Sequence, residues 1–83
     1  MPSADDSVAD LIEHVAKSMV DRPEAVDVRL EDERRETVVE LSVDEDDLGK
    51  VIGKRGRTAK SMRAVLYAVS EKVGRRYTLD ILE

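Results

Sequence analysis

Lys54 and Arg55 stand between two glycines, in the run Val51-Ile52-Gly53-Lys54-Arg55-Gly56-Arg57. Glycines three apart permit a sharp turn whose backbone can be approached closely. If that turn joins two helices, the second helix brings its unpaired N–H groups and positive dipole end beside both cations. Backbone donors, a dipole and two side-chain charges in one place make a site for phosphate. The chemistry is capture of an anionic backbone rather than bond making. Two other glycine-rich phosphate motifs are excluded. The P-loop needs four residues between its glycines and then Lys followed by Ser or Thr, whereas Gly49 and Gly53 enclose three, and Arg55 follows Lys54. The dinucleotide fingerprint needs glycine where this chain has Val51, and a strand before the turn.

The elements around the turn are read from periodicity. Residues 1–6 are acidic and polar and read as a disordered tail, with Ser7 as the cap of a first helix. Val8, Leu11, Ile12, Val15 and Met19 then form one helical face, which Asp21-Arg22-Pro23 ends. Val26, Val28 and Leu30 alternate with charged residues, as do Val39, Leu41 and Val43, so two strands form an antiparallel hairpin around the charged stretch Glu31–Glu36. Asp44-Glu45-Asp46-Asp47 reads as the cap and acidic first turn of a short helix with Leu48, Val51 and Ile52 on its buried face. Gly49 inside it suggests either the close approach of another backbone or a glycine that is simply tolerated. After the turn, Thr58, Met62, Val65, Leu66, Val69 and Val73 mark a long helix face ending at Gly74. Tyr77, Leu79 and Ile81 alternate in a last strand.

Composition bounds the function. The 83 residues suit one domain, 7–83, and the absence of cysteine removes disulfides and thiolate metal sites. No apolar run reaches the roughly 20 residues of a membrane span, so a soluble cytoplasmic protein is the default expectation. The net charge of −5 is unevenly placed. Residues 50–76 hold nine Lys/Arg against Glu71 alone, a local +8, while residues 1–49 hold five basic and sixteen acidic residues. A ligand senses the field within about a Debye length, roughly 8–10 Å, so the basic segment outweighs the total. His14, the single histidine, lies beside the buried stripe of the first helix, and no nucleophile, general base or ligand cluster accompanies it. No active site, metal, cofactor or small-molecule substrate is expected.

The order αββααβ and the segment Gly-Lys-Val-Ile-Gly-Lys-Arg-Gly-Arg-Thr-Ala-Lys (49–60) resemble a type II KH domain, an α+β fold. From about Val8 to Glu83 the chain is similar to the KhpA family of small bacterial single-KH proteins. The resemblance implies a three-stranded sheet with helices on one face and sequence-tolerant binding of single-stranded RNA. It also implies a homodimer or pairing with a larger KhpB-like protein, in some bacteria linked to cell elongation and division. On that footing Gly53 and Gly56 let the RNA backbone lie against the turn, and Lys54 and Arg55 meet phosphates. N–H groups near Arg57 and Thr58 face the same anion. Val51 and Ile52 line an apolar groove while one of them serves the core, and Lys50, Arg57, Lys60 and Arg63 extend the positive track. With Tyr67 and Tyr77 as the whole aromatic content, a platform stacking several bases is not expected. Met62, Val65, Leu66 and Val69 offer a dimer seam, with core packing as the alternative. Two other readings stay open: a subunit whose fold serves partner assembly, and a single-stranded DNA binder.

Overall fold

The computed structural model describes residues 3–83. Its elements are α1 (Ala4–Met19), β1 (Asp27–Asp32), β2 (Glu36–Ser42), α2 (Leu48–Ile52), α3 (Arg57–Val73) and β3 (Arg76–Ile81). Single 3-10 turns lie at Pro23–Ala25, Glu45–Asp47 and Lys54–Gly56. This is the expected αββααβ order.

The first helix starts earlier than its apolar stripe suggests. Ser3, not Ser7, is the cap, its hydroxyl accepting from the Asp6 N–H at 3.1 Å. Asp5 and Asp6 then fall in the first turn, where the helix dipole favours them. A distant contact also fixes this end, since the Tyr77 hydroxyl of β3 donates to Asp5. Residues 4–6, expected in a tail, are therefore helical, and residues 1 and 2 of that tail lie outside the described residues.

The sheet order is β1-β2-β3, with β1 antiparallel and β3 parallel to the central β2. The parallel pair requires a crossover, which α2, the glycine turn and α3 supply. Register aligns the apolar residues in rows across the sheet: Leu30–Val39–Leu79 and Val28–Leu41–Ile81. Val39, Leu41, Tyr77 and Leu79 share one core with Val8, Ile12 and Ala16 of α1, Val51 of α2, and Met62 and Leu66 of α3. The helices thus cover one face of the sheet. Thr37, fully buried on β2, is satisfied from both sides: it donates to Asp32 and accepts from the Arg75 guanidinium.

The acidic run Asp44–Asp47 caps as expected, Asp44 accepting from the Asp46 N–H, but its last member turns inward. Asp47 is 2 % exposed and accepts from the backbone N–H groups of Asp21 and Arg22 and from Lys50 Nζ. One carboxylate thereby ties the end of α1 to the start of α2. Gly49 has no close neighbour: a Cβ there would meet nothing within 4 Å, so no second backbone approaches it.

Candidate nucleic-acid interface

The turn departs from the chain's ordinary backbone at three positions. Gly53 has φ 80° and ψ 167°, a region open essentially to glycine alone. Arg55 and Gly56 follow with φ 58° and 72°, both left-handed. Arg55 is the one non-glycine residue with positive φ among the described residues, a conformation costing about 1 kcal/mol or more. This backbone projects Lys54 and Arg55 outward, and both are exposed.

Turn hydrogen bonds consume one of the donors expected to face a ligand, that of Arg57. Gly53 N–H donates to Gly49 O, Gly56 N–H to Gly53 O, and Arg57 N–H to Lys54 O. The Arg57 amide is therefore not free to face an anion. Thr58 is half-buried, and its hydroxyl fills the space above Gly53. The groups the turn exposes are the Lys54 and Arg55 side chains.

Ion pairing sorts the basic segment. Lys50 is held by Asp21 and Asp47, Arg75 by Asp32, and Arg76 by Glu36. Those carboxylates raise the Lys50 pKa, Asp21 more than Asp47. Lys50 thus belongs to an internal network rather than to the positive track. No carboxylate lies within 4.0 Å of Lys54, Arg55, Arg57, Lys60 or Arg63 among the described residues. These five are exposed, two in the turn and three on the first turns of α3. Lys60 and Arg63 share a helix flank with Gly56, and Arg57 lies about a quarter-turn away.

Apolar candidates separate by burial. Val51 is fully buried and serves the core, which leaves Ile52, half-buried, at the surface beside the turn. Met62 and Leu66 are 4 % and 1 % exposed, packed on the sheet and α1, so they cannot form a seam between folded copies. Val69 is half-buried, and Val65, 45 % exposed, is the one clearly surface member of that group. Val65 borders a small apolar cleft of about 160 Å³ between α1 and α3, with Leu11 and Val15 across from it. His14 is exposed on α1, away from the turn in sequence.

The fold is shared with solved structures. Aquifex aeolicus Era bound to GDP and AlF4 matches with TM-score 0.62 at 20 % identity, over 90 % of this chain and 29 % of that one. Era in complex with MgGDPNP and a segment of 16S ribosomal RNA matches with TM-score 0.60 at 20 % identity, over 89 % of this chain and 28 % of that one. Sequence relatives match along nearly their whole length. The RNA-binding protein KhpA of Halalkalibacterium halodurans is 51 % identical over 73 residues, 88 % of this chain and 96 % of that protein. The RNA-binding protein KhpA of Aquifex aeolicus is 43 % identical over 77 residues, 93 % of this chain and 98 % of that protein. The family description "KhpA/KhpB, KH domain" matches residues 9–81, and with that span, this fold and the glycine turn in place, the chain belongs to the KhpA/KhpB KH-domain family.

Proposed function

We propose that this protein binds single-stranded RNA without chemical turnover, holding the strand's phosphates at Gly53-Lys54-Arg55-Gly56. The observation that carries this reading is the sorting of charge. The cations of the turn and the start of α3 are unpaired, as is Lys72 in the last turn of α3, while Lys50, Arg75 and Arg76, in the same basic segment, are each paired with a carboxylate. A backbone strained at Arg55 to present two cations adds to it. So do the KhpA relatives, whose names state RNA binding. Ile52 gives bases an apolar surface beside the turn, and Thr58 supports Gly53 from behind. Contacts dominated by phosphate carry little sequence information, so sequence preference is weak. Two or three phosphate contacts give a salt slope of about −1.4 to −2.1.

Assembly is part of the proposal. A single short groove binds weakly, and two grooves on one strand raise affinity through effective concentration. With Met62 and Leu66 committed to the core, the apolar rim of Leu11, Val15 and Val65 is the surface offered to a second copy or a KhpB-like partner. Family resemblance supports a cytoplasmic role in post-transcriptional regulation linked to cell elongation and division. Among the described residues no helix is long and apolar enough to cross a membrane.

Fluorescence anisotropy of a labelled single-stranded RNA, comparing the parent with Lys54→Asp/Arg55→Asp, tests the clamp. Asp tolerates the left-handed conformation at position 55, so the fold persists, which circular dichroism checks. Loss of binding in the variant is expected; equal binding removes the clamp and favours the partner-assembly reading. A matched DNA oligomer decides between RNA and single-stranded DNA.

A further inference from the structure

The short helix α2 carries the glycine turn at its end. Gly53, where the turn opens, is also the C-cap of α2, its N–H donating to Gly49 O. The direction of α2 therefore decides where Lys54 and Arg55 stand. A helix of five residues has no stability of its own, so its course is set by what it packs against. Val51 supplies one anchor, fully buried in the core. The other anchor is polar and lies at the head of the helix.

Asp47 occupies the N-cap position of α2, yet its side chain caps none of that helix's N–H groups. It reaches across to the α1–β1 junction instead, 3.2 Å from the Asp21 nitrogen and 3.1 Å from that of Arg22. Lys50 folds back on Asp47 at 3.2 Å and also meets the Asp21 carboxylate. The two pairs differ in weight. The Asp21 side chain is 82 % exposed, and an exposed ion pair adds little. Asp47 is enclosed, and a buried carboxylate is strongly destabilising when it loses a partner. The charge of Lys50 is thus used within the fold, three residues before Gly53. On its other side the turn is braced by Thr58 against Gly53. The left-handed Arg55 and the glycine-only backbone of Gly53 persist only where their surroundings over-determine them.

Resting on the reading of the turn as an RNA clamp, we propose that Lys50 is a positioning residue for RNA binding. It touches no phosphate. Paired with Asp47, it fixes α2 and so holds residues 53–56 in the conformation that takes the strand. Affinity scales with the fraction of time the clamp is competent, so a turn that keeps its form about a tenth of the time binds about 10-fold more weakly.

The test follows a fluorescein-labelled twelve-nucleotide oligouridylate by anisotropy between about 50 and 200 mM salt. The full-length proteins are the parent, Lys50→Met, Lys50→Arg, Lys50→Met/Asp21→Asn, the core variant Ile12→Val and Lys54→Asp/Arg55→Asp. Asp47 keeps two N–H donors in Lys50→Met, so the fold persists, which circular dichroism checks. Lys50→Met is expected to bind about 10-fold more weakly with the salt slope of the parent. Lys50→Arg, which keeps the cation, and Ile12→Val, destabilised elsewhere, are expected to bind like the parent. The double variant restores the net charge and is expected to stay weak. Exchange of the Gly56 amide, bonded to Gly53 O, is expected to quicken in Lys50→Met and not in Ile12→Val, a change that general destabilisation would not give. A slope shallower by about 0.7 in Lys50→Met would make Lys50 a phosphate contact. Parent affinity in the double variant would assign the loss to repulsion by the freed carboxylates. Either result overturns the positioning role. So does Lys50→Met binding like the parent while the turn variant loses RNA, which leaves the clamp standing. If the parent itself does not bind, the clamp reading fails and the positioning role with it.

Discussion

The Thr58 hydroxyl occupies the place where a side chain at Gly53 would begin: a Cβ on Gly53 would fall 2.2 Å from Thr58 Oγ1, 2.7 Å from its Cβ and 2.8 Å from its N. Gly53 is thus doubly constrained, by this contact and by φ 80°. Gly53→Ala is expected to destabilise by about 1–3 kcal/mol from backbone strain alone, with the overlap adding to it. Thr58→Ala should not rescue the variant, because the Thr58 Cβ and N positions remain. Gly56→Ala, with a left-handed φ but open space around it, should cost only about 1 kcal/mol. Gly49→Ala should instead stabilise by roughly 0.5–1 kcal/mol, since an ordinary helix position is freed of glycine. Urea midpoints of the set check the order, and a Thr58→Ala rescue of Gly53→Ala would refute the account.

Acid sensitivity is expected to centre on Asp47. Burial pushes its carboxyl up, but hydrogen bonds from the Asp21 N–H, Lys50 and the Arg22 N–H outweigh this and hold the pKa below the ordinary 3.8. A folded pKa below the unfolded one gives stability that is full above 3.8 and lost as pH falls through the lower folded value. Parent stability should therefore drop below about pH 4, whereas Asp47→Asn starts lower and loses less over that window. Urea midpoints between pH 2.5 and 6 distinguish them, and parallel curves would deny Asp47 this role.

These contacts mark the limit of what the sequence discloses. The turn was legible because Gly53, Lys54, Arg55 and Gly56 are contiguous and their types state their chemistry. The element order was legible because periods of 2 and 3.6 are local. Asp47 looks in sequence like one more cap residue because its partners, Asp21 and Arg22, lie 26 and 25 positions away. Ser3 lost to Ser7 because the Tyr77–Asp5 contact spans 72 positions. Periodicity grouped Met62, Val65 and Leu66 on one face, but α1 and the sheet decide which of them is its centre. Lys50 counted as free charge until folding brought Asp21 beside it.

Tyr77 makes the alkaline counterpart of the Asp47 prediction. Burial, then the hydrogen bond to Asp5, pushes its phenol from 10.0 up to about 12. A raised folded pKa favours the protonated native state: the stability is full below pH 10.0 and lost as pH rises from there through about 12. In a Tyr67→Phe background, where Tyr77 is the sole tyrosine, phenolate absorbance should appear near pH 12. Asp5→Ala should bring it closer to 10.0 and loosen the start of α1, seen as faster amide exchange there. Phenolate already formed at pH 10 in the Asp5-containing protein would show that Tyr77 is not enclosed.

Neighbours on α3 separate stability from assembly. Leu66, 1 % exposed, contributes to the core, whereas Val65, 45 % exposed, borders the cleft shared with Leu11. Leu66→Ala is expected to cost about 2–5 kcal/mol through lost burial and the cavity left behind. Val65→Asp should change monomer stability by no more than about 0.5 kcal/mol, as a surface substitution. If the α1–α3 rim joins two copies, Val65→Asp sediments as a monomer at concentrations where the parent dimerises, with an unchanged circular dichroism spectrum. A parent dimer that persists in both Val65→Asp and Leu11→Asp would place the contact elsewhere. A parent that is monomeric throughout would leave the rim to a partner of different sequence, and RNA binding would then depend on one groove.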